Sequence, residues 1–249
     1  MPPAMKAEAI SPIVNKLGLF QTHPLIKNIV RQETSSFSVR EIMNEKKIFV
    51  ANLSKGVLGE DGTQLLGALL VTQFQTAALE RANQPIEGRT PFHLYIDEMH
   101  SFVTLSFADM MAESRKYGLC LFLTHQYIEQ LNEDIRAAIF GNVGTLICFR
   151  VGAQDAKVLE EEFKPILTAE DLVNLPRYSM YIKLLIDGTT SQPFSANTFP
   201  LPAKGISYKN EVIEYSRNKY GRGNTITESK TPLPTFEQER GPIPQSLFD

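Results

Sequence analysis

Apolar positions along this chain fall into two alternating patterns. Short continuous runs of four to six apolar residues are separated by longer stretches with apolar residues three and four apart. The first pattern is that of buried strands and the second that of amphipathic helices. Residues 46–53 (KKIFVANL), 92–96 (FHLYI), 119–124 (LCLFLT) and 144–150 (GTLICFR) read as strands. Between them, Leu66, Leu69, Leu70, Gln73 and Ala77 lie at helical spacing in a long helix ending near Arg81, with Asp61 or Thr63 as its cap. Residues 107–117, 127–140 and 155–163 complete the helical stretches. Gly118 is placed to end the first of these. Strands alternating with helices predict an α/β fold with a mainly parallel sheet of these four strands and helices on both faces.

The ends of the chain differ from this centre. Residues 10–20 and 24–30 are helical in pattern, and Ser38 in SSFSVREIM is a candidate helix cap. The segment SKGVLGEDG after the first strand reads as a polar loop, and NQPIEGRTP as a surface loop. After Pro176, YSMYIKLLID and TTSQPFSANTF flank Gly188 and predict an antiparallel hairpin. The last residues carry Pro232, Pro234, Pro242 and Pro244 and read as an extended tail. Three regions are therefore expected: a helical segment at 1–45, an α/β core at 46–200, and a peripheral helix with a Pro-rich tail at 201–249.

Composition narrows the class without naming a function. Of 249 residues, 43% are hydrophobic and 21% charged, which suits a globular protein with a sizeable core. The net charge of −3 makes no electrostatic case for nucleic acid, although a basic surface confined to one channel would not show in the net charge. Cys120 and Cys148 lie inside apolar runs and read as buried reduced thiols of a cytoplasmic protein. No apolar run approaches the roughly 18 residues of a membrane helix, and the start MPPAMKAEA lacks a signal-peptide core.

The chemistry concentrates in HLYIDEMHSF, residues 93–102. An apolar strand ends there in two adjacent carboxylates, Asp97 and Glu98, the form of a Walker B segment. A buried strand holds such a pair rigidly at the sheet edge where open α/β folds bind ligands. Asp97 would hold the Mg²⁺ of a nucleoside triphosphate, through water, and Glu98 would polarise the attacking water. In isolation, an acidic pair after a strand is as often the start of a solvated loop. The next strand ends in Thr124, His125 and Gln126, and an amide at that tip can both donate to a phosphate and accept from water. Alone, that tripeptide reads as a loop entry or a cap.

Arg115, near a helix C-terminus, is either a residue suited to the helix dipole or an arginine finger reaching a neighbouring subunit's nucleotide. Arg150 ends the fourth strand and could pair with a carboxylate or approach a nucleotide. His100 and His125 are too few and too badly spaced for a metal site, so local polar contacts are expected. The phosphate-binding pattern G-x-x-x-x-G-K-[ST] does not occur in the 249 residues.

HLYIDEMHSF, FADMMAESRKYGLCLFLTHQYIEQL and IFGNVGTLICFRVGAQDAKVLEEEF together resemble successive motifs of the conjugative type IV coupling proteins, within the HerA–FtsK superfamily. The resemblance spans about residues 25–201, in matching order and spacing. It implies part of a RecA-like P-loop ATPase that forms a hexameric ring, uses ATP and Mg²⁺, and moves DNA. It places the magnesium and water-activating acids on Asp97 and Glu98, the polar sensor on Gln126 and the arginine finger on Arg115. Met99 and His100 stand where many relatives carry an aromatic residue or glutamine. A relaxase and secretion-channel components are the implied partners, and the inner membrane the implied place of a full-length relative.

The chain is therefore expected to be the C-terminal portion of such a motor, inactive alone. A DNA-end-processing helicase of the same superfamily is the second reading, which a nuclease gene neighbour would favour over a relaxase neighbour. A non-enzymatic degenerate subunit or adaptor is the third, which a reading frame starting at Met1 would favour.

Overall fold

A computed structural model describes residues 18, 20–30, 32–202 and 205–221, with the side chains of 105 and 106 excepted. The helical expectation for residues 10–20 falls almost wholly outside these residues, and that for the Pro-rich tail falls wholly outside them. Contacts divide the chain into a unit up to Gly205 and a second from Ile206.

In the first unit, α1 (Pro24–Val30) and α2 (Val39–Asn44) precede a long helix, α3 (Lys55–Leu79). Ser38 caps α2 by accepting from the Glu41 backbone N–H, as its place in the sequence predicts. Then come β1 (Phe92–Ile96), α4 (Leu105–Glu113), β2 (Leu119–Leu123) and α5 (Glu133–Asn142). β1 and β2 pair in parallel, with Phe92 opposite Leu119 and Ile96 opposite Leu123. α4 runs into a 3-10 turn at Ser114–Tyr117, and Gly118, at φ 72°, closes it in the left-handed conformation that glycine adopts without cost.

The remaining elements of this unit follow in the chain. β3 (Leu146–Cys148) is followed by α6 (Ala153–Phe163), α7 (Ala169–Val173) and β4 (Ser179–Lys183). β5 (Leu185–Ile186), β6 (Thr189–Thr190) and β7 (Phe194–Asn197) come last. β4 pairs antiparallel with β7, and β5 with β6, so the hairpin about Gly188 is present. The second unit contains α8 (Lys209–Tyr220), in which no residue is buried.

The main core lies between the β1–β2 pair and α2–α5. It contains Phe74, Ile96, Met99, Phe107, Leu119 and Ile135. A second cluster joins Cys148 of β3 to Ala156, Leu159 and Phe163 of α6 and Leu172 of α7. Arg81 ties the bottom of the first core together although it is fully buried. Its guanidinium donates to Asn44 Oδ1, to the Thr90 carbonyl just before β1 and to the Tyr117 carbonyl just before β2. Neutral acceptors thus satisfy this charge, and burial holds its pKa below the usual arginine value.

The class is mixed α/β as the pattern predicts, but the pairing differs from a single four-stranded parallel sheet. Among the described residues, only β1 and β2 pair in parallel. β3 pairs antiparallel with β4, Ile147 opposite Ile182. Its apolar run reports burial against α6 and α7, which a parallel or an antiparallel neighbour would serve equally.

Lys46 lies in a turn at φ 57°, and residues 47–53 form no helix or strand and belong to no ladder. Phe49 anchors one side, with its ring centroid 5.5 Å from Phe37 and 5.7 Å from Phe74, while Ile48 and Val50 are 94% and 83% exposed. Aromatic packing therefore accounts for half of the apolar pattern, and no described strand lies beside the other half. Helices cover the Phe92, Leu94 and Ile96 side of β1; on the opposite side Tyr95 and Phe122 are exposed and stack at 4.4 Å.

Candidate functional site

The site grows from the parallel register of β1 and β2. Beyond the strands the ladder continues, because Thr124 N–H donates to the Ile96 carbonyl at 3.0 Å and Met99 N–H to the Thr124 carbonyl at 2.9 Å. These bonds fix Asp97 and Glu98 beside Thr124 and Gln126. Met99 is fully buried and anchors the turn that follows. Glu98 itself sits at φ 51°, ψ 48°, a left-handed conformation uncommon for glutamate. Such strain persists only where the surroundings enforce it, and it clusters at functional positions.

Each carboxylate has a partner on β2's extension. Asp97 Oδ1 accepts from the Thr124 hydroxyl and, at 3.1 Å, from the Glu98 backbone N–H. Both contacts fall on one oxygen, which leaves Oδ2 for another ligand. Glu98 Oε1 accepts from the Gln126 side-chain amide. Its Oε2 lies 3.5 Å from His100 Nδ1. That nitrogen is buried and makes no hydrogen bond within the usual geometry, as is also true of His125 Nδ1. The local polar contact expected of His100 is thus this approach to Glu98.

A cavity of about 360 Å³ opens over this corner, lined by Lys55, Glu98, His100, Gln126, Tyr127 and Gln130. An exposed carboxylate with a free oxygen, a second carboxylate and a primary amide are oxygen-rich and neutral-to-anionic. That donor set fits a hydrated Mg²⁺ and a polarised water. The 249 residues contain no G-x-x-x-x-G-K-[ST] loop of the kind whose backbone N–H groups cradle phosphates.

Two arginines singled out in the sequence lie elsewhere. Arg115 is exposed in the turn before β2, at the opposite end of that strand from Gln126. Five residues of strand at about 3.3 Å each put it roughly 16 Å from the tip. Arg150 is exposed after β3 and does not line the cavity. Lys55 does line it, although the pattern predicts a polar loop there. α3 begins at Lys55, earlier than expected, and breaks at Gly59 (φ 71°, ψ 171°) before its main length. The only signal was a Lys-Gly pair directly after an extended apolar run, which is weak by itself.

Residues 91–162 match the family described as "TraM recognition site of TraD and TraG". No curated protein matches the chain. Among solved structures, the plasmid coupling protein TrwB in complex with the non-hydrolysable GTP analogue GDPNP has a TM-score of 0.51 at 18% identity, over 70% of this chain and 45% of that one. The bacterial conjugative coupling protein TrwBdeltaN70, in its unbound monoclinic form, gives 0.47 at 20% identity, over 59% and 39%. The genome packaging NTPase B204 from Sulfolobus turreted icosahedral virus 2, in complex with ATP-gammaS, gives 0.42 at 16% identity, over 64% and 71%. The chain thus spans less than half the length of the TrwB chains it matches. Its mixed α/β architecture is similar to the RecA-like ATPase fold of TrwB, and its residues 91–162 are similar to the family of TraD and TraG.

Proposed function

We propose that this chain is the C-terminal portion of an ATP-driven DNA-translocating motor that couples conjugative DNA transfer to a type IV secretion channel. The observation that carries the reading is the corner formed by Asp97, Glu98 and Gln126 at the C-terminal tips of two parallel strands. Magnesium ion would neutralise charge on the nucleotide's phosphates. Asp97 would hold its hydration shell through the free Oδ2. Glu98 would orient and polarise the lytic water, and Gln126, held to Glu98 by its amide nitrogen, would keep its carbonyl oxygen for the same water.

Arg115 is too far from this corner to serve it within one subunit, and its exposure suits service to a neighbour in a homohexameric ring. Arg150 has no place in this arrangement. The partners proposed are DNA, other copies of the chain, a relaxase, channel components and, from the family matched at 91–162, a protein of the TraM kind. ATP binding in this reading also requires a phosphate loop, which the 249 residues do not encode.

The test is ATP turnover in a longer form of the protein that includes such a loop. DNA-stimulated hydrolysis lost in Glu98→Gln, with nucleotide binding retained, supports the reading. Turnover unchanged by that substitution overturns it.

A further inference from the structure

We propose that Lys55 is a nucleotide-contacting residue of the Asp97–Glu98–Gln126 site, its ammonium meeting the terminal phosphate of a bound nucleoside triphosphate. This deepens the ATPase reading and rests on it. Lys55 comes from a different part of the chain than the other site residues, yet it lines the same cavity as Glu98 and Gln126. It is the cationic residue of that lining, apart from whatever charge His100 carries.

The position of Lys55 is built by packing on the far side of its turn. Leu58, three residues on, is buried against Ile26 and Leu66. The Thr63 hydroxyl donates to the Leu53 carbonyl at 3.2 Å, tying the preceding segment to the main helix. Between these anchors Gly59 takes φ 71°, ψ 171°, which an L side chain rarely adopts. That break lets the turn of residues 55–58 leave the axis of α3.

Nothing in the helix itself accounts for a lysine there. Cations are disfavoured in a first helical turn, and no acidic residue offsets it within that turn. Its one ionic contact is Glu60 at 3.4 Å, with the two side chains 50% and 68% exposed. Such a pair contributes little and releases the ammonium readily. Opposite a cavity wall that carries a carboxylate and amides, a mobile ammonium complements the anionic end of a magnesium-bound triphosphate. Lys55 would therefore distinguish triphosphate from diphosphate.

The experiment is a ³¹P NMR titration of the longer form of the protein that carries a phosphate loop with Mg²⁺-ATP, Mg²⁺-ADP and inorganic phosphate, which reads millimolar binding. The wild type is expected to prefer ATP to ADP. Lys55→Gln should weaken ATP binding about tenfold, the scale of one charge-assisted contact, and change ADP binding less than about twofold. Lys55→Arg should keep the preference. Gly59→Ala, which forces the turn to move, should lose it while Lys55 remains, with circular dichroism showing that the fold is kept.

An unchanged ATP-to-ADP ratio in Lys55→Gln overturns the assignment of Lys55 alone. Weakened inorganic phosphate with ATP untouched would make Lys55 a contact for free phosphate and overturns it too. Asp97→Asn should remove the Mg²⁺ dependence of ATP binding. If that dependence persists, or if the wild type binds none of the three ligands, the ATPase reading falls and the role of Lys55 with it.

Discussion

Gln126 donates its side-chain amide to the carboxylate of Glu98, across the tips of the two parallel strands. The bond orients both groups before any ligand arrives, and the amide carbonyl is left to accept from water. If Glu98 polarises that water, replacing it by glutamine removes the proton acceptor while keeping the size and the contact. In a form of the protein that carries a phosphate loop, Glu98→Gln should slow hydrolysis by about 10²–10⁴-fold. Nucleotide affinity should hold, as measured by fluorescent-nucleotide titration. Equal loss of binding and turnover would show that Glu98 is structural.

Arg115 should behave differently, because it stands near the start of β2 and the carboxylates stand past the end of β1. In the longer form, Arg115→Ala should retain ATP binding and lose most turnover. Turnover of the unaltered protein should rise with protein concentration as rings assemble. Mixing Arg115→Ala with Glu98→Gln subunits should restore part of the rate, since some interfaces would then combine an intact glutamate with an intact arginine. No recovery across all mixing ratios would sink the shared site.

The fully buried Arg81 supports this geometry from below. Its donors meet Asn44, Thr90 and Tyr117, so one side chain sets α2 and the starts of both strands. Arg81→Met would keep much of the volume and leave these acceptors without partners. A loss of about 3 kcal/mol or more is expected, read from urea denaturation. A change under about 1 kcal/mol would mean that water replaces the guanidinium and that the clamp is incidental.

β1, β2 and the hairpin about Gly188 were legible in the sequence because each is an apolar run ended by polar or turn-forming residues. The corner of Asp97, Glu98 and Gln126 was legible as positions, since parallel strands of equal length bring their tips together. Pairing partners were not. An apolar run shows that a segment is buried and not what lies beside it, so 145–149 looked like a fourth parallel strand and 46–53 like a first. Gly59 hid the true start of α3, because a helix broken at one glycine loses its period there. Arg81 and Lys55 were invisible for a different reason: a single basic residue near a helix end reads as solvated until its neighbours in space are known.

Gly67 tests how closely α3 approaches the turn after the carboxylates. A Cβ at this position would overlap Cδ1 and Cε1 of the Phe102 ring, well inside any real contact. Gly67→Ala therefore gains helix propensity but must push Phe102 aside. The overpacking should dominate and destabilise by about 1–3 kcal/mol. Gly141, in α5 and with open space around it, is the control, and Gly141→Ala should be neutral or stabilising. If both substitutions stabilise in thermal melts, the close approach at Phe102 is wrong.

The two cysteines give a prediction that depends on pH. Cys148 is buried in β3, and its thiol donates to the Phe149 carbonyl at 3.0 Å. Burial, with a smaller contribution from the Asp155 charge, pushes its pKa from 9.0 up to about 11. Asp155 cannot turn away easily, because its carboxylate accepts the Ile128 backbone N–H at 3.2 Å. Cys120, half-buried on β2, should therefore be alkylated by iodoacetamide at pH 8 well before Cys148, as read by peptide mass spectrometry. The same shift has a consequence for stability. The folded state holds the Cys148 proton more tightly than the unfolded chain, so its contribution is complete below pH 9.0 and is lost as pH rises towards about 11. Urea midpoints should fall more steeply over that interval in the wild type than in Cys148→Ala, whose other titrating groups are the same. Parallel curves for the two proteins, or faster alkylation of Cys148 than of Cys120, would show that this strand is open to solvent and that the second core is not packed as described.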